Sequence, residues 1–197
     1  MRSAKFRSML CMPVAALILS GSPLVAAPSV SAVGPPVGQS ETARASAQAS
    51  HLLEEIQLIA HELRRDAATL ESFRYSGLGW DSHARQLALA REHINNIGAR
   101  LEKLRALRNS AEPWQQNAID AMTPVALQLA ARTENAIAHL NNSPHQLLDP
   151  AYTSHLSAIA DHAGRIKDSA GLFLELGNTE ERLNTLRDRV AAAESRS

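Results

Sequence analysis

From His83 onward, apolar or seam-forming residues recur at gaps of four and three: His83, Leu87, Ala90, Ile94, Ile97, Leu101 and Leu104. A repeat of roughly 3.5 residues keeps returning to one side of an α-helix and to neither face of a strand. Such a stripe must be buried against other helices, so the spacing predicts a helix packed in a bundle or coiled coil. Gly77-Leu78-Gly79 reads as the turn before it, Asp81 or Ser82 as its cap, and Asn109-Ser110 as its end.

The rest of the chain follows the same pattern. Leu52, Ile56, Ile59, Leu63, Leu70 and Phe73 mark a helix expected from about Thr42 to Tyr75. A third helix opens at Ser110-Ala111-Glu112-Pro113, since proline fits a first turn, where its missing N–H would be unpaired anyway. Ala118, Met122, Val125, Leu129, Ala136 and Leu140 form its apolar face, and Pro124 is expected to kink it near Ala121. Asp149-Pro150 opens a fourth, with Tyr152, Leu156, Ile159, Ala163, Ile166, Ala170 and Phe173 on one stripe. Gly177 reads as its stop, and Asn178 with Glu181 as the capping box of a new start. Leu183, Leu186 and Val190 then make a short stripe whose phase does not continue the fourth, so a separate fifth helix is expected.

No strand-like alternation competes. Four helices of roughly 27 to 34 residues with short connections favour antiparallel neighbours. The expected fold is all-α: an up-and-down antiparallel four-helix bundle with a short extra C-terminal helix. It forms one domain over residues 41–194 and is about 40 Å long at 1.5 Å per residue.

The N-terminus does not belong to that pattern. Arg2, Lys5 and Arg7 precede an apolar run from about Met9 to Leu19, and small residues close the stretch at Leu24-Val25-Ala26-Ala27. A basic start, a short apolar core and a small-residue end make residues 1–27 a secretory signal, with cleavage after Ala26, Ala27 or Ala32. The run is about half of the roughly 20 residues a spanning helix needs, so the mature chain is expected to have no transmembrane span. Pro28 to Ser40, rich in Pro, Gly and Ser, reads as a flexible leader. The expected location is outside the cytoplasm: periplasmic in a Gram-negative source, otherwise secreted.

Removing the signal changes the chemistry available. Cys11, the one cysteine, lies inside it, so the mature chain has no disulfide, no thiolate nucleophile and no c-type haem attachment. Losing Arg2, Lys5 and Arg7 leaves a mildly acidic chain of about 165 residues, enough for one domain with a real core. Nothing basic is concentrated, so nucleic acid is not an expected partner. Phosphate loops, dinucleotide fingerprints and nucleophile turns are missing, and no enzymatic activity or cofactor is expected. His61-Glu62-Leu63-Arg64-Arg65 begins like a zinc-protease helix but has Arg65 where the second histidine should stand.

Eight histidines raise the question of a metal. No two have the spacing of three or four that lets neighbouring helical ligands share an ion, and no Glu-x-x-His occurs. In an up-and-down bundle, however, His83, His139 and His155 fall within about two turns of one end, together with Trp80 and Tyr152. The layout departs from bundle cytochromes, where haem needs two axial ligands at one level. Two functions follow. The first is a non-enzymatic exported bundle that acts by contact with another envelope protein or by self-association. The alternative is a small-ligand or metal-binding bundle with a polar pocket around Trp80, His83, His139, Tyr152 and His155, the three histidines being the candidate ligands.

Overall fold

The computed structural model describes residues 37–196, with side chains from residue 41. The expected signal, its cleavage positions and most of the leader lie outside the described residues. Among the described residues the fold is all-α, with no strand. Helix α1 spans Val37–Ser76, α2 Trp80–Leu107, α3 Pro113–Asn142 and α4 Pro150–Glu194, and a short 3-10 turn at Arg108–Ser110 joins α2 to α3. Helix α1 begins inside the stretch expected as leader.

The helix boundaries follow local chemistry. Gly77 takes a left-handed φ of 65° and ends α1, a conformation that costs glycine nothing. Pro113 sits in the first turn of α3, and the Gln115 side chain accepts the Glu112 N–H at 2.9 Å. Asp149 accepts the Ala151 N–H at 2.7 Å with Pro150 as first helical residue, the start expected for α4.

Helix α1 packs against α2 and α4, and α3 packs against the same two. The expected stripes are the buried ones. Leu53, Ile56 and Leu63 from α1 meet Leu87, Ile97 and Leu104 from α2, Ile119, Met122 and Leu129 from α3, and Ile159 and Ile166 from α4. Each such side chain stabilises the fold by about 1.5–3 kcal/mol. The cross-helix ion pairs Arg91–Glu134 and Arg100–Glu55 are at least partly solvated, and such pairs contribute about 0–1 kcal/mol each. Apolar burial therefore dominates.

Pro124 lies inside α3, which runs for 30 residues with the proline on its exposed side. One expectation needs correction. Among the described residues there is no fifth helix: α4 is one helix of 45 residues, roughly 67 Å at 1.5 Å per residue. Gly177 is not a stop, and Asn178 and Glu181 do not cap a new start. A Cβ on Gly177 would lie 2.4 Å from the Trp114 ring, so this glycine makes room for the indole of α3. The change of apolar phase is real, but it marks a change in which side of the helix is apolar. The backbone hydrogen bonds run through it.

Candidate functional site

The last turns of α1 and α3 meet the first turns of α2 and α4 in a cluster of rings. Tyr152 is fully buried and His83 is 1% exposed. The Tyr152 hydroxyl lies 2.9 Å from His83 Nδ1. The His139 ring stacks on Tyr152 at 5.3 Å and 21°, and Phe73 meets His83 edge-on at 5.4 Å. Trp80 Nε1 donates to the Leu140 carbonyl at 3.1 Å, tying the start of α2 to the end of α3. Burial pushes the Tyr152 phenol above its ordinary range and the His83 imidazole below its own. A phenol that keeps its proton in a buried site needs an acceptor, so we assign the hydroxyl as donor to the Nδ1 of a neutral imidazole.

The structure thus brings Trp80, His83, His139 and Tyr152 to one end, as their heights along the helices suggest. His83 and His139 both pack their rings against Tyr152, whereas Trp80 is 41% exposed. His155 stands within electrostatic reach of His139. Among the described residues no group of three or more His, Cys, Asp or Glu is arranged to hold a metal ion. His93 of α2 places Nε2 3.2 Å from the Asp66 carboxylate of α1. His61 is exposed.

Along the α3–α4 seam, His139 Nε2, His155 Nδ1 and His162 Nδ1 are buried with no hydrogen-bond partner among the described residues. Burial lowers the pKa of His155, helped by Arg132 and His139. Burial also lowers that of His162, where Arg165 and Arg132 outweigh Asp161. The folded chain therefore resists protonation at His83, His155 and His162, whereas the unfolded chain takes up protons at the ordinary 6.5. Stability is expected to be level above about pH 7.5 and to fall as pH drops below about 6.5. Melting temperatures from pH 8 to 5 test this, and His155→Gln with His162→Gln should flatten part of the slope. A level profile down to pH 5 would contradict it.

A Cβ on Gly98 would meet nothing within 4 Å. The residue lines a groove of about 390 Å³ between α2 and α3, with Ile94, Leu101, Ala126 and Leu127 on its walls and Arg105 at its rim. Gln115 is a residue whose role the sequence reading missed. It is fully buried and donates to the Ser46 carbonyl at 2.8 Å and toward Ser50 Oγ at 3.0 Å, binding the start of α3 to α1. The Glu112–Gln115 spacing was the available signal, because it is a helix-start pattern.

The feature that contributes least to this chain's own core is the second part of α4. Every residue from Asn178 to Glu194 is exposed. Leu172, Leu176, Leu183, Leu186 and Val190 are 66%, 42%, 48%, 53% and 57% exposed. At roughly 100° per residue these five lie half a turn round the helix from the buried Ile159, Ala163 and Ile166. The side facing α1 instead carries Gly177, Glu181, Asn184 and Asp188, which with Ala43, Ala47 and Trp114 line a groove of about 850 Å³. The apolar stripe therefore points away from the molecule's own helices. No helix among the described residues is long and apolar enough to cross a membrane. Comparison of the chain with protein-family models, with curated proteins and with solved structures gives no match.

Proposed function

We propose that the chain is an exported, non-enzymatic helical protein that works by protein–protein contact through the outer face of α4. One observation carries this reading: an apolar stripe runs along the side of α4 opposite to its own core. Isolated exposed leucines are ordinary, but five on one helix side at helical spacing form a contact surface. The ring cluster fits a structural role, since its phenol and imidazole are shut away from any external substrate. The helices are read as an up-and-down antiparallel bundle. Support comes from the two-by-two packing of α1 and α3 against α2 and α4, and from short connections. Export rests on the basic–apolar–small pattern of residues 1–27.

A photo-crosslinking residue at Leu186, in the cell that produces the protein, tests the contact. Discrete covalent adducts are expected there and not from the same probe at Glu92, an exposed position on α2. Equal labelling at both positions, or none at Leu186, would sink the reading. Protein recovered outside the cytoplasm should begin at Ala27, Pro28 or Val33.

A further inference from the structure

Building on the contact reading above, we propose that the outer face of α4 pairs with a second copy of this chain, antiparallel along the stretch from Leu176 to Val190. Leu172, Leu176, Thr179, Leu183, Leu186 and Val190 follow one another at gaps of four, three, four, three and four. That is the seam of a coiled coil, and it lies on one side of an unbroken helix.

The charges beside the seam select the partner and its direction. Glu175, Arg182 and Arg189 precede Leu176, Leu183 and Val190, whereas Glu180 and Arg187 follow Thr179 and Leu186. In a parallel pair each residue before the seam faces the residue five further on in the other copy. Glu175 would then face Glu180 and Arg182 would face Arg187, two repulsions against one attraction between Arg189 and Glu194. In an antiparallel pair with Leu183 against Leu186, Glu180 of each copy faces Arg187 of the other. Arg182 against Arg189 is the one unfavourable match, and Arg196, the residue in register with Glu175, lies beyond the helix end at Glu194. Run parallel, the helix opposes like charges at two pairs of positions, and run backwards it opposes them at one. In that register Val190 meets Thr179, and the main bodies of the two copies stand at opposite ends of the seam. Helix α1 borders α4 on the side of Gly177, Glu181, Asn184 and Asp188, a groove that Glu175 and Glu180 also line and that none of the seam leucines lines.

The seam spans roughly two heptads, about 21 Å at 1.5 Å per residue, so the pairing is expected to be of micromolar strength. Sedimentation equilibrium of the purified protein at low salt, from about 1 µM to about 1 mM, should show a monomer–dimer equilibrium. Leu183→Asp should remove it without changing helicity or melting temperature, because Leu183 touches no core. Glu180→Arg or Arg187→Glu alone should weaken the dimer roughly tenfold, since each turns two exposed attractions into repulsions. The two together should restore it. A parallel pair predicts the opposite sign, because either single change would turn a repulsion into an attraction.

A monomer at every concentration, or a dimer that either single reversal strengthens or leaves unchanged, overturns the proposal. The probe at Leu186 separates the two levels. An adduct of twice the chain mass supports self-pairing. Adducts only with other proteins overturn self-pairing and keep the contact reading. No adduct overturns both.

Discussion

Tyr152→Ala is expected to lower the free energy of unfolding by about 3–5 kcal/mol, the range found when a buried ring is deleted from a packed core. Domains of this kind hold only about 5–15 kcal/mol in total, so the variant should melt more than about 6 °C lower, at roughly 2–4 °C per kcal/mol. Three losses act together. The fully buried ring leaves a cavity, His139 loses its stacking partner, and His83 Nδ1 loses the 2.9 Å hydroxyl. Tyr152→Phe separates the last from the others. It keeps the ring and strands a buried imidazole nitrogen, which costs about 1–3 kcal/mol. Thermal melts followed by circular dichroism measure both. If the two variants melt together, the hydroxyl carries the cluster and the packing argument is wrong.

Gly177→Ala is expected to destabilise the protein by about 1–3 kcal/mol, even though alanine is favoured over glycine in a helix by about 1 kcal/mol. The new Cβ would lie 2.4 Å from the Trp114 ring, so the indole must leave a position where it is only 8% exposed. Displacement toward the adjoining groove exposes it, and tryptophan fluorescence in a Trp80→Phe background should shift to the red. Gly98→Ala is the control with opposite sign. Its Cβ meets nothing within 4 Å, so only the propensity term of about 0.5–1 kcal/mol remains and the variant should melt higher. Equal effects at the two glycines would show that the contact with Trp114 does not constrain α4.

These two glycines show where sequence reading succeeds and where it stops. Hydrophobic spacing located the buried stripes of all four helices, because burial on one side is written directly into a 3.5-residue repeat. Connectivity, which sets height along a helix, also grouped Trp80, His83, His139 and Tyr152 at one end, but as the lining of a polar pocket and without Phe73, whose ring meets His83. The role of each glycine was not legible. That role depends on the neighbour across the interface, Trp114 in one case and open space in the other. The expected fifth helix failed for a related reason. Periodicity tells which side of a helix is apolar, and says nothing about whether the backbone is broken where that side changes. Phe73 and Gln115 were visible as a stripe residue and a helix-start residue. The contact of Phe73 with His83 depends on how the chain folds back at the Gly77 turn, and that of Gln115 with Ser46 joins positions far apart in the chain.

The unbroken course of α4 has a mechanical consequence. Tyr152 and Leu186 stand on the same rod, about 50 Å apart at 1.5 Å per residue. A hinge at Gly177 would have let whatever docks on the distal stripe swing freely. A continuous helix makes α4 a strut, so a partner docked as proposed would be carried at a fixed stand-off from the ring-packed end. Two such struts overlapping head to tail would set the spacing between two protein bodies as a ruler does, with its length counted in helical turns.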